Sequence, residues 1–123
     1  MRKLGAERDS IGVVYDQIGT PTYAADLANA IASIVPQIHK NNSGIYHYTN
    51  LGQCSWYDFA CEIMKLSGLK CDVHPIKTSE YPTRALRPQY SVLNKTQTSQ
   101  VFGVSIPQWQ EALKRCIKEI ERQ

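Results

Sequence analysis

The sequence predicts a small mixed α/β domain of three or four helices and a few short strands. Three observations lead to this fold class. Strand-like apolar runs alternate with stretches of helical periodicity, as in α/β folds. The 123 residues are the length of one ordinary domain. No apolar run reaches the roughly 20 residues that a membrane-spanning helix needs. We therefore expect a single domain over residues 1–123.

The first half of the chain predicts a strand, a helix and a second strand. Residues 11–15 are β-branched and aromatic, which favours a strand. Residues 45–49, IYHYT, favour another strand after an NNSG turn. Between them we expect a helix with Thr22 as its N-cap. Its buried face should carry four apolar residues at helical spacing: Leu27, Ile31, Ile34 and Val35.

A second helix is predicted from Ser55. Asp58 follows three residues later in a capping-box arrangement, and Gly68 suits the position just after the helix. The buried stripe of this helix should be formed by Phe59, Ile63 and Leu66.

The last third predicts a short strand, a loop and two helices. The strand should end at Pro75, and residues 77–90 form a proline-rich loop with little periodicity. Asn94 should cap a brief helix. Pro107 suits the first turn of the final helix, in which we expect Trp109 to be a core anchor.

Charge, cysteine and histidine patterns argue against several classes of site. The net charge of +3 is spread along the chain, so no nucleic-acid footprint is expected. The four cysteines have no C-x-x-C spacing and the three histidines no H-x-x-x-H spacing, so no metal site is expected. The N-terminal residues lack the apolar core of a signal peptide. We therefore expect reduced thiols in a cytoplasmic protein that has no membrane partner.

The common catalytic motifs are missing from these residues. No glycines have the G-x-G or G-x-x-G spacing of a dinucleotide loop, and no G-x-S-x-G elbow occurs. No tyrosine has a lysine four residues later. We therefore expect no catalytic and no cofactor-binding residues in this chain.

The loop of residues 16–22 is the first binding candidate. Gly19 allows a tight turn and Pro21 stiffens the entry to the helix. Gln17 and Thr20 offer uncharged hydrogen-bonding groups beside a helix N-terminus, which attracts negative charge. The alternative is an ordinary strand-to-helix turn with a threonine cap.

The loop of residues 81–95 is the second candidate. It carries Arg84 and Arg87, and it is longer than a connection requires. Arginine can bind a phosphate or carboxylate through two parallel N–H donors. The alternative is a pair of solvated surface arginines.

Three stretches in order carry a family resemblance: VVYDQIGTPTYAADLA, GIYHYTNLGQCSWYDFACEIM and YPTRALRPQYSVL. Together they resemble the C-terminal third of the dTDP-4-dehydrorhamnose reductase family, within the extended short-chain dehydrogenase/reductase superfamily. The resemblance covers nearly the whole chain. It implies that this is the substrate-binding portion of that fold, and that an N-terminal Rossmann domain would precede these residues.

The resemblance also implies a reaction. Such enzymes use NADPH or NADH to convert dTDP-4-dehydro-L-rhamnose to dTDP-L-rhamnose. The glycine-rich loop and a Tyr-x-x-x-Lys pair would belong to the Rossmann domain. The implied partners are the dTDP-linked deoxyhexose, that Rossmann domain and, in the complete protein, a second copy in a homodimer.

Carried over by motif, the resemblance implies four substrate-binding residues: Gln17, Thr20, Arg87 and Ser91. Arg87 would face the diphosphate. Arg84 departs from the family, in which proline is common at that place, and is not expected to contact the substrate. Trp56 is expected to serve helix packing.

Two other classes of function stay open at this point. One is a non-catalytic module of the same fold, like the regulatory subunit of methionine adenosyltransferase, which the Tyr-x-x-x-Lys pair of the complete protein would distinguish. The other is a small basic domain that binds nucleic acid or protein, for which binding would fall steeply with salt.

Overall fold

The computed structural model describes residues 1–122. Within them are five α-helices and two two-stranded sheets, joined by loops and three short 3₁₀ turns. The strands are β1 (Ser10–Val14), β2 (Ile18–Gly19), β3 (Cys54–Ser55) and β4 (Asp72–Ile76). The helices are α1 (Arg2–Glu7), α2 (Ala24–Ile34), α3 (Trp56–Leu66), α4 (Thr96–Phe102) and α5 (Trp109–Arg122). The mixed α/β class is confirmed, and α1 adds a helix to the predicted set.

The larger sheet pairs β1 with β4 in parallel, from Ser10 opposite Asp72 to Val14 opposite Ile76. Both strands lie where the sequence predicts them, although β4 continues one residue past Pro75. The smaller sheet is antiparallel, with Ile18 opposite Ser55. This pairing fixes the loop after β1 against the start of α3.

Helix α3 lies between two groups of buried side chains. One group joins it to α5, and Trp109 is buried there with the Phe59 ring at a centroid distance of 5.9 Å. The expected anchor role of Trp109 is confirmed. The other group joins α3 to the larger sheet through Ile11, Met64 and Cys71.

The predicted ends of α3 are confirmed. The Ser55 hydroxyl oxygen accepts a hydrogen bond from the Asp58 backbone N–H at 3.0 Å. The Asp58 carboxylate accepts in return from the Ser55 backbone N–H at 2.9 Å. Gly68 follows the helix with φ of +63°, a left-handed conformation that glycine adopts without strain.

The prediction for α2 is wrong in two respects. The helix begins at Ala24 with Tyr23 as N-cap, so Thr22 does not cap it. The predicted buried face is also wrong, because Ile31 is 52% and Val35 58% exposed. The buried residues of α2 are instead Asp26 and Ala30. The side that faces the rest of this chain is therefore the side that carries Asp26.

The strand predicted at residues 45–49 does not form in the described part of the chain. A strand needs a neighbour for its backbone groups, and none of residues 1–122 forms a ladder with this segment. The Thr98 hydroxyl donates to the His47 carbonyl oxygen at 2.6 Å, while Ile45 is 84% exposed.

The loop of residues 77–90 is irregular after a 3₁₀ turn at Thr78–Glu80, as predicted. Lys95 is the N-cap of α4, so the predicted cap at Asn94 is wrong. The Asn94 carboxamide oxygen accepts from the Thr96 N–H at 3.0 Å from one position earlier. None of the helices described here has the length and apolarity that crossing a membrane requires.

Candidate functional site

A cavity of about 790 Å³ lies beside β1. Its volume is in the range of small-molecule sites, roughly 300–1,000 Å³. Four segments line it together with the strand: the N-terminal helix, the loop after β1, the start of α3 and the loop before α4. The lining residues outside β1 are Met1, Leu4, Arg8, Gln17, Ile18, Trp56, Tyr81, Thr83, Arg87, Pro88 and Ser91.

The charge of this cavity is positive. Arg8 and Arg87 both line it, and the described residues that line it include no aspartate or glutamate. Neither arginine belongs to an ion pair within residues 1–122. Guanidinium groups that no carboxylate neutralises are suited to bind an anionic ligand, and a planar guanidinium can meet a phosphate bidentately.

Two consecutive side-chain hydrogen bonds, from Gln17 to Thr78 and from Thr78 to Asp16, position Gln17 at the cavity. Its Nε2 donates to the Thr78 hydroxyl oxygen at 3.1 Å. The Thr78 hydroxyl donates in turn to the Asp16 carboxylate at 2.7 Å, and the Thr78 backbone N–H donates to the same carboxylate at 2.9 Å. The hydrogen bond from the Thr78 side chain is the largest cause that lowers the pKa of Asp16 below its usual value. Asp16 is therefore a carboxylate at neutral pH.

Ser91 reaches the cavity because its loop joins the loop after β1. Both the backbone N–H and the hydroxyl of Ser91 donate to the Ile18 carbonyl oxygen, at 2.9 and 3.2 Å. A Cβ at Gly19 would lie 3.0 Å from the Ser91 Oγ, so a glycine permits this close approach. The two loops singled out from the sequence thus meet at one place.

Thr20 differs from the other three expected residues. Its hydroxyl donates to the Gly52 carbonyl oxygen at 2.8 Å, and Thr20 does not line the cavity. The structure therefore brings Gln17, Arg87 and Ser91 together around one space, and it uses Thr20 to join the loop to the turn before β3. Arg84 also lies outside the lining.

The lining residues that the sequence does not identify as ligand-binding include Arg8, Trp56 and Tyr81. Trp56 was expected to serve packing, but it is 53% exposed, and its ring meets the Phe59 ring edge-on at 6.4 Å. Tyr81 is 60% exposed. Such aromatic faces can pack on a sugar or a base. The only local signal for Trp56 is its place directly after the Ser55 cap, where the helix meets β2.

A second hollow, of about 450 Å³, lies between α2, α4 and α5. Its floor is polar: the buried Asp26 accepts two hydrogen bonds from Arg115, both at 2.7 Å. The Asp26 hydrogen bond is the largest cause that raises the pKa of Arg115. These charged groups satisfy each other. Residues 1–122 hold no cluster of three or more side chains suited to a metal ion.

Comparison with known families shows to which family the chain belongs. The model of the family described as "RmlD substrate binding domain" matches residues 1–122. The chain belongs to that family. The resemblance stated from the three sequence stretches is thereby confirmed.

Several relatives of the domain are named as reductases. A dTDP-4-dehydrorhamnose reductase of Aggregatibacter actinomycetemcomitans is 42% identical over 123 residues, which cover 93% of this chain and 42% of that protein. The crystal structure of a dTDP-4-dehydrorhamnose reductase from Clostridium acetobutylicum superposes with a TM-score of 0.91 at 40% identity, covering 98% of this chain and 42% of that one. The Bacillus anthracis reductase, solved in complex with NADP, gives 0.86 at 39% identity, covering 96% and 41%. The chain thus spans about two-fifths of the length of these relatives.

Proposed function

We propose that this domain is the nucleotide-sugar-binding part of an NAD(P)H-dependent dTDP-4-dehydrorhamnose reductase, which converts dTDP-4-dehydro-L-rhamnose to dTDP-L-rhamnose. The observation that carries the proposal is the cavity beside β1, where two unpaired arginines and neutral polar groups surround one space free of lining carboxylates. The reductases named above, at 39–42% identity, support the same substrate class.

The diphosphate is the group that the cavity's charge fits. Arg87 stands on an irregular loop that Ser91 joins to the loop after β1, and it lines the same cavity as Gln17. Arg8, which follows α1, supplies a second positive charge. Hydrogen bonds between charged partners contribute more than neutral ones, which favours this pair as the main source of affinity.

The uncharged parts of the ligand fit the rest of the lining. Trp56 and Tyr81 present aromatic surface on which the thymine or the deoxysugar can pack. Gln17 and Ser91 add neutral hydrogen-bonding groups. We include Thr20 among the substrate-binding residues only through its link to Gly52, which holds the loop in place.

Residues 1–122 contain no glycine-rich loop of the kind that binds a dinucleotide cofactor. A dinucleotide loop needs glycines where a strand turns into a helix. The glycines with positive φ in residues 1–122 lie elsewhere: Gly68 and Gly103 follow helices, and Gly52 lies in the turn before β3. We therefore assign the cofactor, the hydride and the proton to an N-terminal Rossmann domain of the complete enzyme.

Exposed apolar side chains support such a domain as a partner. Ile31, Val35, Ile38 and Ile45 are each more than half exposed, and residues 45–49 pair with no strand of residues 1–122. A sheet edge from the Rossmann domain beside residues 45–49 would satisfy this segment and cover the face of α2. The four cysteines are unpaired, which agrees with a reducing, cytoplasmic location.

The test is substitution of Arg87 in the complete enzyme. Arg87→Ala should weaken binding of dTDP-L-rhamnose by about 1.5–3 kcal/mol, the range for hydrogen bonds to charged groups. The affinity is measured by isothermal titration calorimetry. Arg84→Ala is the matched control. It removes the same charge only three residues from Arg87, and the Arg84 side chain does not line the cavity. Equal effects of the two substitutions would contradict the assignment.

A further inference from the structure

The hydrogen bonds at Asp16 have a fixed direction. An ionised carboxylate can only accept, so both Thr78 groups must donate to it: the backbone N–H at 2.9 Å and the hydroxyl at 2.7 Å. A hydroxyl has a single hydrogen. Once that hydrogen is directed at Asp16, the Thr78 oxygen offers only lone pairs to other neighbours.

The direction at Thr78 fixes the orientation of the Gln17 carboxamide. Only the NH₂ end of Gln17 can bind an accepting oxygen, and Nε2 lies 3.1 Å from the Thr78 Oγ1. The Gln17 Oε1 accepts no hydrogen bond from residues 1–122, and it is absent from the buried polar atoms that lack a partner. This oxygen is therefore accessible, on a side chain that lines the cavity.

We propose that Gln17 presents its carbonyl oxygen to the ligand and recognises a neutral hydrogen-bond donor there, with Asp16 and Thr78 as positioning residues. The inference rests on the proposed function, because the ligand is taken to be a dTDP-sugar. Two groups of that ligand have the required chemistry: a hydroxyl of the deoxysugar and the N3–H of thymine.

The same argument indicates that the Gln17 carbonyl oxygen does not bind the phosphate. Phosphate oxygens only accept at neutral pH, so the carbonyl oxygen of Gln17 would repel them, whereas the Arg87 guanidinium only donates. The cavity thus offers a donor side chain and an acceptor side chain. A ligand with an anionic centre and a neutral donor satisfies both.

The experiment changes the positioning residue and leaves Gln17 intact. Thr78→Val removes the hydroxyl at nearly constant volume, so the carboxamide is no longer oriented. Thr78→Ser keeps the hydroxyl and is the control. Dissociation constants of the complete enzyme are measured by calorimetry for three probes: dTDP-L-rhamnose, dTDP and N3-methyl-dTDP. Gln17→Leu is measured in parallel, in case Thr78→Val impairs folding as judged by thermal unfolding.

Thr78→Val and Gln17→Leu should raise the dissociation constant about 3- to 10-fold, as for the loss of one neutral hydrogen bond, but only for probes that carry the donor. Loss confined to dTDP-L-rhamnose supports a sugar hydroxyl. Loss toward dTDP-L-rhamnose and dTDP, but not N3-methyl-dTDP, supports the thymine N3–H. Thr78→Ser should keep the wild-type dissociation constants.

An equal loss of affinity toward all three probes, or toward none, would overturn the inference while leaving the proposed function intact. A wild-type enzyme that binds none of the probes would overturn the proposed function and this inference with it.

Discussion

Asp26 is buried on α2, although the spacing of apolar residues predicts a buried face of apolar side chains only. Its carboxylate accepts a bidentate pair from Arg115 at 2.7 Å and a further hydrogen bond from the Asn50 Nδ2 at 2.7 Å. Asn50 is fully buried, and its Oδ1 accepts from the Tyr23 N–H at 2.8 Å, at the start of α2. This polar network joins α2 to α5 across 89 residues of sequence.

Removal of Arg115 should be costly because Asp26 would remain as a buried charge without its cation. We expect Arg115→Ala to lower the free energy of unfolding by about 3 kcal/mol. This is the lower end of the range for a broken buried pair, since the Arg115 side chain is 48% exposed and Asn50 still donates to the carboxylate. The measurement is urea unfolding of the complete enzyme followed by circular dichroism. Arg122→Ala, which breaks an exposed pair with Glu119 at 3.6 Å, should cost less than about 1 kcal/mol. A loss at Arg115 no larger than at Arg122 would contradict the importance of the network.

At the candidate site, the sequence could identify residues on recognisable loops but not those that the fold brings to them. Gln17, Arg87 and Ser91 stand on two segments with their own turn chemistry, and these segments do meet. Arg8 follows a polar helix, and its place at the cavity depends on how that helix packs. No local pattern encodes such a contact.

Among the elements, those that rely on neighbours in sequence could be predicted. The capping box of α3 and the glycine after it are local, and they form where expected. Thr22 has the same chemistry as a cap, yet the helix begins at Ala24, because the buried Asn50 binds the Tyr23 N–H. A tertiary contact thus overrides a local preference.

Ser55 and Thr22 should respond differently to substitution by alanine. Ser55→Ala should destabilise the protein by about 1–2 kcal/mol, because the buried hydroxyl caps α3 and also donates to Asp58 at 2.7 Å. Thr22→Ala should change stability by less than about 0.5 kcal/mol, as at an ordinary exposed position. Differential scanning calorimetry of both variants measures this contrast. A similar loss at the two positions would show that Thr22 has a capping role after all.

For the molecule as a whole, two of the failed predictions concern apolar surface that residues 1–122 leave open. The apolar face of α2 and the strand-like segment of residues 45–49 both have the composition of buried elements, and both lie open in residues 1–122. The relatives are more than twice as long as this chain. We propose that these sequence patterns reflect burial against a further part of the complete enzyme. The proposed Rossmann domain accounts for both.

One substitution measured in two contexts tests this account. Val35 is 58% exposed here, so Val35→Asp in the isolated domain should change the free energy of unfolding by less than about 0.5 kcal/mol. In the complete enzyme the side chain would be covered, and the same change should cost at least about 1.5 kcal/mol, the value for burying a valine side chain. Leu86→Asp is the control, because Leu86 is fully exposed on a loop and should be neutral in both proteins. Urea unfolding provides the comparison. A loss of equal size in the isolated domain and the complete enzyme would mean that the face of α2 stays open, and the partner domain would then have to dock elsewhere.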